Sequence, residues 1–386
     1  MAGKLTTSIL GCGIAAMASI LSAAPAPAQT AQEQCAAKDG VSSDLRITAC
    51  SAVIEMGTEA PAKRADALSH RGNAYFLRKE YDRAIADYDE AIRLDPTNAK
   101  FYAGRGRTHR NKSDFDRAFA DFDEALRLDP NLAIAFASRG GAYNFRRDYD
   151  RAIADYSEAI RLDPKLTGAF SGRAHAYYER KEYDRAIADY DDAIRLTPKS
   201  AFLFHYRGVV YERNRDLDRA IADFDEALRL DPKRADTFSL RGMAHQDNND
   251  YDRAIADYDA AIRLQPEAAR FAMRGGAYLK QRLYDRAIAD YSEAIRLEPT
   301  AERFGVRGYI YSLEEDLDRA IADYDAAIAL NPSWSLPRYG RALARWKAGD
   351  RLSAIIDVVT ATATWAVAGL SDLAARYWPM SRPTSR

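Results

Sequence analysis

The chain has 386 residues, a formal net charge of -1 and 29% charged residues. This balance excludes the strongly basic surface typical of a nucleic-acid-binding protein and provides no general attraction to anionic membranes. Length alone suits two or three globular domains, but the internal repetition described below overrides that expectation.

Residues 1–28 predict a secretory signal peptide. Ile9–Leu21 is apolar but short for a membrane span, and small residues precede the expected cleavage site after Ala28. The mature protein would then begin at Gln29 and reside in the periplasm or outside a bacterial cell. A lipid on Cys12 is the alternative, although few apolar residues precede that cysteine and a long apolar run follows it.

Residues 29–64 predict an N-terminal helical cap that precedes the repeats. Cleavage of the signal peptide leaves Cys35 and Cys50, and an even pair of cysteines in an oxidising compartment favours a disulfide. Asp44–Met56 has the pattern of a short amphipathic helix that Gly57 ends. A redox or metal pair is the alternative, but the spacing is not that of a CxxC motif and no cluster of ligands accompanies it.

Residues 65–332 contain one phrase eight times, first as Tyr81–Pro96. In the first copy, Leu68, Gly72 and Tyr75 have the spacing of one helix face, and a second set with the same spacing follows after a break. A fixed period of this size indicates a stacked array of helical hairpins. The period is 34 residues five times and 33 twice, as read from Pro96, Pro130, Pro164, Pro198, Pro232, Pro266, Pro299 and Pro332.

The order of residues within one copy resembles the tetratricopeptide repeat. A large residue is followed by a small one and an aromatic, and then by Ala, an aromatic, Ala and Pro. The resemblance implies an all-α fold, an α-solenoid of stacked helix-turn-helix repeats that forms a right-handed superhelix with a concave groove. The signal peptide, the cysteine-bounded cap and the repeats together are similar to exported tetratricopeptide proteins of alphaproteobacteria.

Each copy departs from the family by carrying Arg where Leu is usual. We predict that each Arg binds an Asp bidentately on the second helix of its own or a neighbouring repeat. Two columns of solvated charges are the alternative. The Arg column is Arg71, Arg105, Arg139, Arg173, Arg207, Arg241, Arg274 and Arg307, and the Asp column is Asp87, Asp121, Asp155, Asp189, Asp223, Asp257, Asp290 and Asp323.

Residues 333–386 predict a degenerate ninth repeat and a capping helix. Ser333–Gly349 resembles a further first helix, and the apolar Ala354–Leu370 follows it. A helix that covers the last repeat is favoured over a transmembrane span because polar residues dilute the apolar run. The sequence leaves open whether this segment docks on the repeats or on a membrane.

Columns that change while the repeat frame stays constant are free to specialise. On the first helices these columns lie opposite the packing face, and the resemblance places them in the groove. A basic stripe within this set suits an acidic or C-terminal carboxylate group of an extended peptide, although Ser69 stands where a chaperone-type carboxylate clamp needs Lys. The candidate partner-binding residues are Asn73, Lys100, Arg107, Arg110, Asn144, His175, Tyr178, His205 and Glu212.

We therefore expect a non-enzymatic scaffold or adaptor of the cell envelope that binds an extended peptide or a partner protein. The alternative is a glycan or cell-wall binding subunit in which Tyr178, Tyr206, Phe76 and Tyr309 stack on sugar rings. No catalytic residue, cofactor or metal is expected, because the five His lack a nearby nucleophile or carboxylate trio. The partner, the pathway and the oligomeric state remain open.

Overall fold

The computed structural model describes residues 27–37, 40–57 and 60–368, with side chains described between residues 30 and 362. All regular elements within these ranges are α-helices, and two compact units divide the chain after Ala142. Residues 1–26 of the predicted signal peptide, including Cys12, lie outside the described residues, and so do residues 369–386 of the predicted C-terminal region.

The first unit consists of a two-helix cap followed by helical hairpins. Its helices are α1 (Pro27–Ala36), α2 (Ser43–Met56), α3 (Pro61–Leu77), α4 (Tyr81–Leu94), α5 (Ala99–Asn111), α6 (Phe115–Leu128) and α7 (Ala133–Phe145), the last of which continues past the boundary.

The second unit continues the alternation of first and second helices. Its helices are α8 (Tyr149–Leu162), α9 (Thr167–Glu179), α10 (Tyr183–Leu196), α11 (Ala201–Arg213), α12 (Leu217–Leu230), α13 (Ala235–Asp247), α14 (Tyr251–Leu264), α15 (Ala268–Lys280), α16 (Tyr284–Leu297), α17 (Ala301–Leu313), α18 (Leu317–Leu330), α19 (Leu336–Lys347) and α20 (Arg351–Ala368).

The repeated phrase specifies each second helix, as α4 illustrates. Asp82 lies in its first turn and Arg93 in its last, where each charge interacts favourably with the helix dipole. Ala84, Tyr88 and Ala91 are completely buried on one face. The helix therefore combines favourable charges at its ends with a stripe of small residues and one ring that packs in the core.

The turn inside each of the eight repeats is closed without glycine, whereas the turn between α19 and α20 uses Gly349 with a φ of 90°. Lys79 has a φ of 62°, and the next amide, at Glu80, donates a hydrogen bond to the Tyr75 carbonyl at 2.9 Å. This αL geometry ends α3 and starts α4 within a few residues. The positive-φ residues at the equivalent turns are Lys79, Ser113, Arg147, Lys181, Arg215, Asn249, Arg282 and Glu315.

Small residues allow the two helices of a hairpin to approach closely. A Cβ on Gly72 would lie 3.3 Å from the Ala84 carbonyl oxygen and from the Tyr88 ring. Gly72 therefore opposes Ala84 across the hairpin. The next first helix uses the same device, because a Cβ on Gly104 would lie only 2.6 Å from the Tyr88 ring.

The Arg and Asp columns form bidentate ion pairs within single repeats. In each pair Nε and Nη2 of Arg donate to the two oxygens of an Asp on the second helix, at 2.6–3.0 Å. The Asp side chains are buried, so the predicted pairing is confirmed in seven repeats. The pairs are Arg71–Asp87, Arg105–Asp121, Arg173–Asp189, Arg207–Asp223, Arg241–Asp257, Arg274–Asp290 and Arg307–Asp323.

The third guanidinium nitrogen connects neighbouring repeats. Nη1 of Arg207 donates to Asp191 of the preceding second helix at 2.5 Å, and Nη1 of Arg173 donates to Ser157 at 2.9 Å. Each guanidinium is thus shared between two hairpins of the stack. The same contact joins Arg71 to Ser51, Arg105 to Asp89, Arg139 to Asp123, Arg241 to Asp225, Arg274 to Asp259 and Arg307 to Ser292.

The N-terminal cap contains the expected disulfide between Cys35 and Cys50. The bond closes a sequence separation of 15 residues, which contributes about 3 kcal/mol in the chain-entropy model. Gly57 ends α2 in the αL conformation, as predicted. The amphipathic pattern predicts Ile47, Cys50 and Ile54 on the inner face of α2. Cys50 is buried there with Ala49 and Val53, whereas Ile47 and Ile54 are half-buried, so the buried face is shifted slightly.

The C-terminal end contains a further ion pair of this kind, Arg341–Asp357, 34 residues beyond Arg307–Asp323. Asp357 is 2% exposed and accepts hydrogen bonds from Arg341 and, at 2.9 Å, from Nη1 of Arg345. The acidic residue that interrupts the apolar run therefore holds α20 against α19. Within the described residues, no helix is long and apolar enough to cross a membrane.

Candidate functional site

The variable faces of neighbouring first helices contact each other directly in the first unit. Nη2 of Arg107 on α5 donates to Oδ1 of Asn73 on α3 at 2.6 Å, and the Arg107 guanidinium lies 4.3 Å from the centre of the Phe76 ring. Nε of Arg107 is buried and lacks a hydrogen-bond partner among the described residues. Arg107 is therefore a half-buried, positioned cation and not a freely mobile one.

Lys100 and Arg110 lie at opposite ends of α5 on either side of Arg107. The Lys100 side chain is exposed, whereas Arg110 is half-buried and donates to Asn111 Oδ1 at 3.2 and 3.3 Å. Spacings of seven and three residues put all three cations on one helix face. This basic stripe can attract a carboxylate, and Lys100 is its most accessible member.

The candidate residues of the second unit begin with Asn144 and His175. Nδ2 of Asn144 donates to the Gly172 carbonyl at 2.9 Å, and its Oδ1 is buried without a partner among the described residues. His175 is exposed, with Nε2 3.8 Å from Glu179 Oε1. Asn144 thus joins two first helices, while His175 presents its ring at the surface.

Tyr178 and Glu212 lie next to a cation that the sequence reasoning missed. A hydrogen bond with Tyr178 raises the pKa of Arg213, and Nε of Arg213 lies 3.6 Å from Glu212 Oε2. The Tyr178 ring also packs on Tyr183, with 6.1 Å between ring centres. Arg213 ends a first helix at a variable column, which is the one sequence signal that could have identified it.

His205 was expected on the groove surface, and the structure corrects this expectation. It is 7% exposed, and its Nδ1 lies 2.8 Å from Thr237 Oγ1 on the next first helix. Burial lowers the pKa of His205 to about 4, and the charge of Arg234 lowers it further. The imidazole is neutral at neutral pH and joins two repeats, so it does not present itself to a ligand.

An exposed aromatic pair lies on the same helix as His205. Phe202 is 49% exposed and packs against Tyr206 with 4.4 Å between ring centres. The His205 ring lies nearly perpendicular to the same Tyr206 ring, with 4.9 Å between ring centres. Phe202 belongs to a variable first-helix column that also contains Lys100, Ile134 and Gly168, so the column alone did not single it out.

The described residues contain no group of three His, Cys, Asp or Glu side chains arranged to hold a metal ion. The candidate site residues that reach the surface carry single charges, amides or rings. Their chemistry is that of recognition by ion pairs, hydrogen bonds and apolar contact.

Comparison with known proteins identifies the repeats. Family models described as tetratricopeptide repeat match residues 65–98, 103–167, 201–234, 240–302 and 301–333, and a model described as TPR repeat matches 174–214. Serine/threonine-protein phosphatase 5 of Rattus norvegicus is 43% identical over 51 residues, which are 13% of this chain and 10% of that protein. Serine/threonine-protein phosphatase 5 of Homo sapiens is 46% identical over 43 residues, which are 11% of this chain and 9% of that protein. The chain therefore matches only about one tenth of the length of these two relatives.

Solved structures show the same fold at low sequence identity. The APC/C hetero-tetramer Cut9–Hcn1 is 19% identical with a TM-score of 0.50, over 82% of this chain and 62% of that one. The pilF protein of Pseudomonas aeruginosa is also 19% identical with a TM-score of 0.50, over 55% of this chain and 96% of that one. Because the repeat models together match more than half of the sequence, the chain belongs to the tetratricopeptide-repeat family.

Proposed function

We propose that the chain is a non-enzymatic scaffold of the cell envelope that binds an extended peptide or a partner protein on the first-helix faces of its repeats. The observation that carries this proposal is the division between constant and variable columns. The constant Arg, Asp, Ala and aromatic residues pack or form ion pairs inside the stack. The variable columns are left to present surface chemistry, which is how stacked repeats bind their partners.

The ligand chemistry follows from the accessible charges of the first unit. Lys100 is exposed, and Arg110 and Arg107 continue the same stripe. Arg107 is already oriented by Asn73 and Phe76, so less side-chain entropy is lost when it binds an anion. An acidic side chain or a C-terminal carboxylate of an extended peptide is the matching group.

The envelope location is supported by the cap. Cys35 and Cys50 are joined in a disulfide, and such bonds persist mainly in oxidising compartments. N-terminal sequencing of the protein from fractionated cells tests the location. A periplasmic species that starts at Gln29 is expected, and a reduced cytoplasmic species that retains residues 1–28 would contradict it.

Partner capture from an envelope extract, read by mass spectrometry, tests the binding face. The variant combines Lys100→Glu with Arg110→Glu, because both changes avoid the contacts that hold Arg107. The matched control combines Arg93→Glu with Arg127→Glu, two exposed cations on second helices that form ion pairs with Glu90 and Glu124 of the same helices. We expect a captured protein that the first variant loses and the control retains.

Circular dichroism of each variant verifies that it is folded. Equal loss of the captured protein from both variants would indicate nonspecific charge attraction. Retention by both would place the binding face elsewhere.

The glycan alternative has less support from the structure. A sugar needs an open ring face, but the Phe76 face is covered by the Arg107 guanidinium at 4.3 Å. Tyr178 is hydrogen-bonded to Arg213 and packs on Tyr183. Truncation of Tyr206 or Tyr309 to Ala separates the two proposals, since a glycan subunit would lose binding to cell-wall material and a peptide scaffold would keep its protein partner.

A further inference from the structure

The last described hairpin of the second unit has an open apolar face. A cavity of about 350 Å³ lies between α19 and α20 and is lined almost entirely by carbon. Trp346 is 52% exposed there and Val359 is 59% exposed. We call this surface the terminal face, and its main side chains are Tyr339, Leu343 and Trp346 from α19, with Ile355, Val358 and Val359 from α20.

The terminal face corresponds to a surface that a first helix covers in the preceding hairpin. Tyr324 of α18 is 1% exposed because α19 covers it at Gly340, and the residues at the start of α19 also cover Gly305 of α17. Val358 follows Tyr324 by 34 residues, one repeat period, yet it is 42% exposed. Tyr339 of the terminal face follows Gly305 by the same interval. A segment that follows α20 in the place of a first helix would therefore bury this face.

We propose that residues 371–380 of the same chain, which come just after α20, fold back onto the terminal face and bury it. Leu373, Tyr377 and Trp378 have the spacing of one apolar helix face. Pro379 cannot continue a helix and sets its end. This pattern is that of a short first helix whose apolar side packs on the hairpin before it.

Residues 369–380 are long enough to reach the terminal face. Val358 lies ten residues before Ala368, which is about 15 Å along α20. Residues 369–372 provide a connection of four residues, as between α12 and α13. A helix over residues 373–378 then spans about 9 Å, and two extended residues add about 7 Å, so Met380 reaches the level of Val358. Because the tether is short, the effective concentration of this segment is on the order of millimolar, and a partner from solution would have to displace it.

The proposed contact would complete the stack of the second unit. Terminal repeats of a solenoid need a polar outer surface. In the first unit α1 and α2 supply this cover, since Cys35 and Val53 pack with Ala67 of α3. Residues 371–380 would do the same for α19 and α20, because Asp372 and Arg376 lie on the side of the helix opposite its apolar face. This contact does not depend on the proposed function, and either can fail without the other.

Paired cysteines test the contact directly in the chain from Gln29 onward, whose own two cysteines already form a disulfide. The variant combines Val359→Cys, at an exposed position of the terminal face, with Met380→Cys. A disulfide forms only when two Cα atoms approach within about 7 Å. We expect mild oxidation to join these two cysteines within one chain, as read by mass spectrometry of peptides. The control combines Met380→Cys with Leu264→Cys, a 39% exposed position on α14, and should form no such bond.

Hydrogen exchange of the same chain without added cysteines tests the energetic effect. The variant combines Leu373→Ser with Trp378→Ser, and the control combines Arg376→Ser with Arg382→Ser. We expect the amides of α19 and α20 to exchange at least about tenfold faster in the variant and at the wild-type rate in the control, while α17 and α18 stay unchanged as a reference.

Three results would overturn the proposal. The first is equal exchange of α19 and α20 in the wild type and the variant, because residues 371–380 would then not protect the face. The second is protection that rises with protein concentration, or a disulfide that joins two chains, because a second copy would then cover the face. The third is a cysteine bond that forms equally well in the control, because the segment would then have no defined position.

Discussion

Removal of one guanidinium from the Arg column should destabilise the stack by much more than removal of a surface charge. Arg207→Leu restores the residue usual in the family but leaves Asp223, which is 5% exposed, without its two hydrogen bonds of 2.7 and 2.8 Å. An uncompensated buried carboxylate costs about 3–5 kcal/mol. Asp191 of the preceding repeat loses its 2.5 Å contact as well, so coupling between neighbouring hairpins should weaken.

The matched controls separate burial from charge. Arg207→Leu combined with Asp223→Leu removes both partners, and we expect it to recover most of the stability, because apolar replacement of a whole buried pair is often neutral. Arg229→Leu removes an exposed cation that pairs with Glu226 on the same helix, and we expect no measurable change. Urea unfolding followed by circular dichroism, with hydrogen exchange of α11 and α12 to localise the effect, provides the comparison.

The pH dependence of the single variant provides a further check. Burial raises the pKa of the Asp223 carboxyl, and Arg207 opposes this shift. Without Arg207 the carboxyl should protonate more readily, so the deficit of Arg207→Leu should shrink as the pH falls. An unfolding midpoint equal to that of the wild type, or a double variant no more stable than the single one, would refute the account of the ion pair.

Three further predictions follow from local geometry. Gly104→Ala should destabilise by about 1–3 kcal/mol because its Cβ meets the Tyr88 ring at 2.6 Å, whereas Gly276→Ala, with its nearest contact at 3.7 Å, should be neutral or stabilising in urea unfolding. Lys181→Gly should stabilise by about 0.5–1 kcal/mol in the same assay, because the turn holds a φ of 62°. His205 has a folded pKa of about 4 against 6.5 usually, so stability is complete above pH 6.5 and should fall by up to about 3 kcal/mol toward pH 4. Thermal unfolding of His205→Asn across this range should show a smaller loss than the wild type, and an equal loss would contradict the assignment.

The helical hairpins and their ion pairs were predictable because the same residues recur in every repeat. Arg207 and Asp223 recur in phase with their equivalents, so the sequence shows both members of each pair and their spacing. The third contact, to Asp191 or to Ser157 in an earlier repeat, was not predicted. That column carries Asp in most repeats and Ser at 157 and 292. The stacking of hairpins sets its orientation toward the next guanidinium, and the sequence of one hairpin does not specify that stacking.

The candidate site was less predictable because the position of a residue on a helix face does not reveal how deeply its side chain is buried. The column of His205 predicts a surface position, yet three of its equivalents, Ser69, Ala103 and Ser239, are buried and two others, Ala137 and Ser171, are half-buried. A column of small residues signals close approach of neighbouring helices, and that signal could have shown that an imidazole there would be enclosed. Arg107 and Asn73 are 34 residues apart, so their equivalent positions could also have suggested the bond between them.

The use of charge inside the stack determines where binding specificity can reside. Much of the charged composition is paired, either in the bidentate pairs or between neighbouring turns of a second helix, as in Glu90 with Arg93. The net charge therefore says little about the surface a partner meets, and paired charges contribute only a weak long-range field. Under the proposed function, recognition would depend on the few exposed side chains in variable columns, such as Lys100 and His175. Substitutions in the Arg column would report on stability, whereas substitutions of these exposed residues would report on binding.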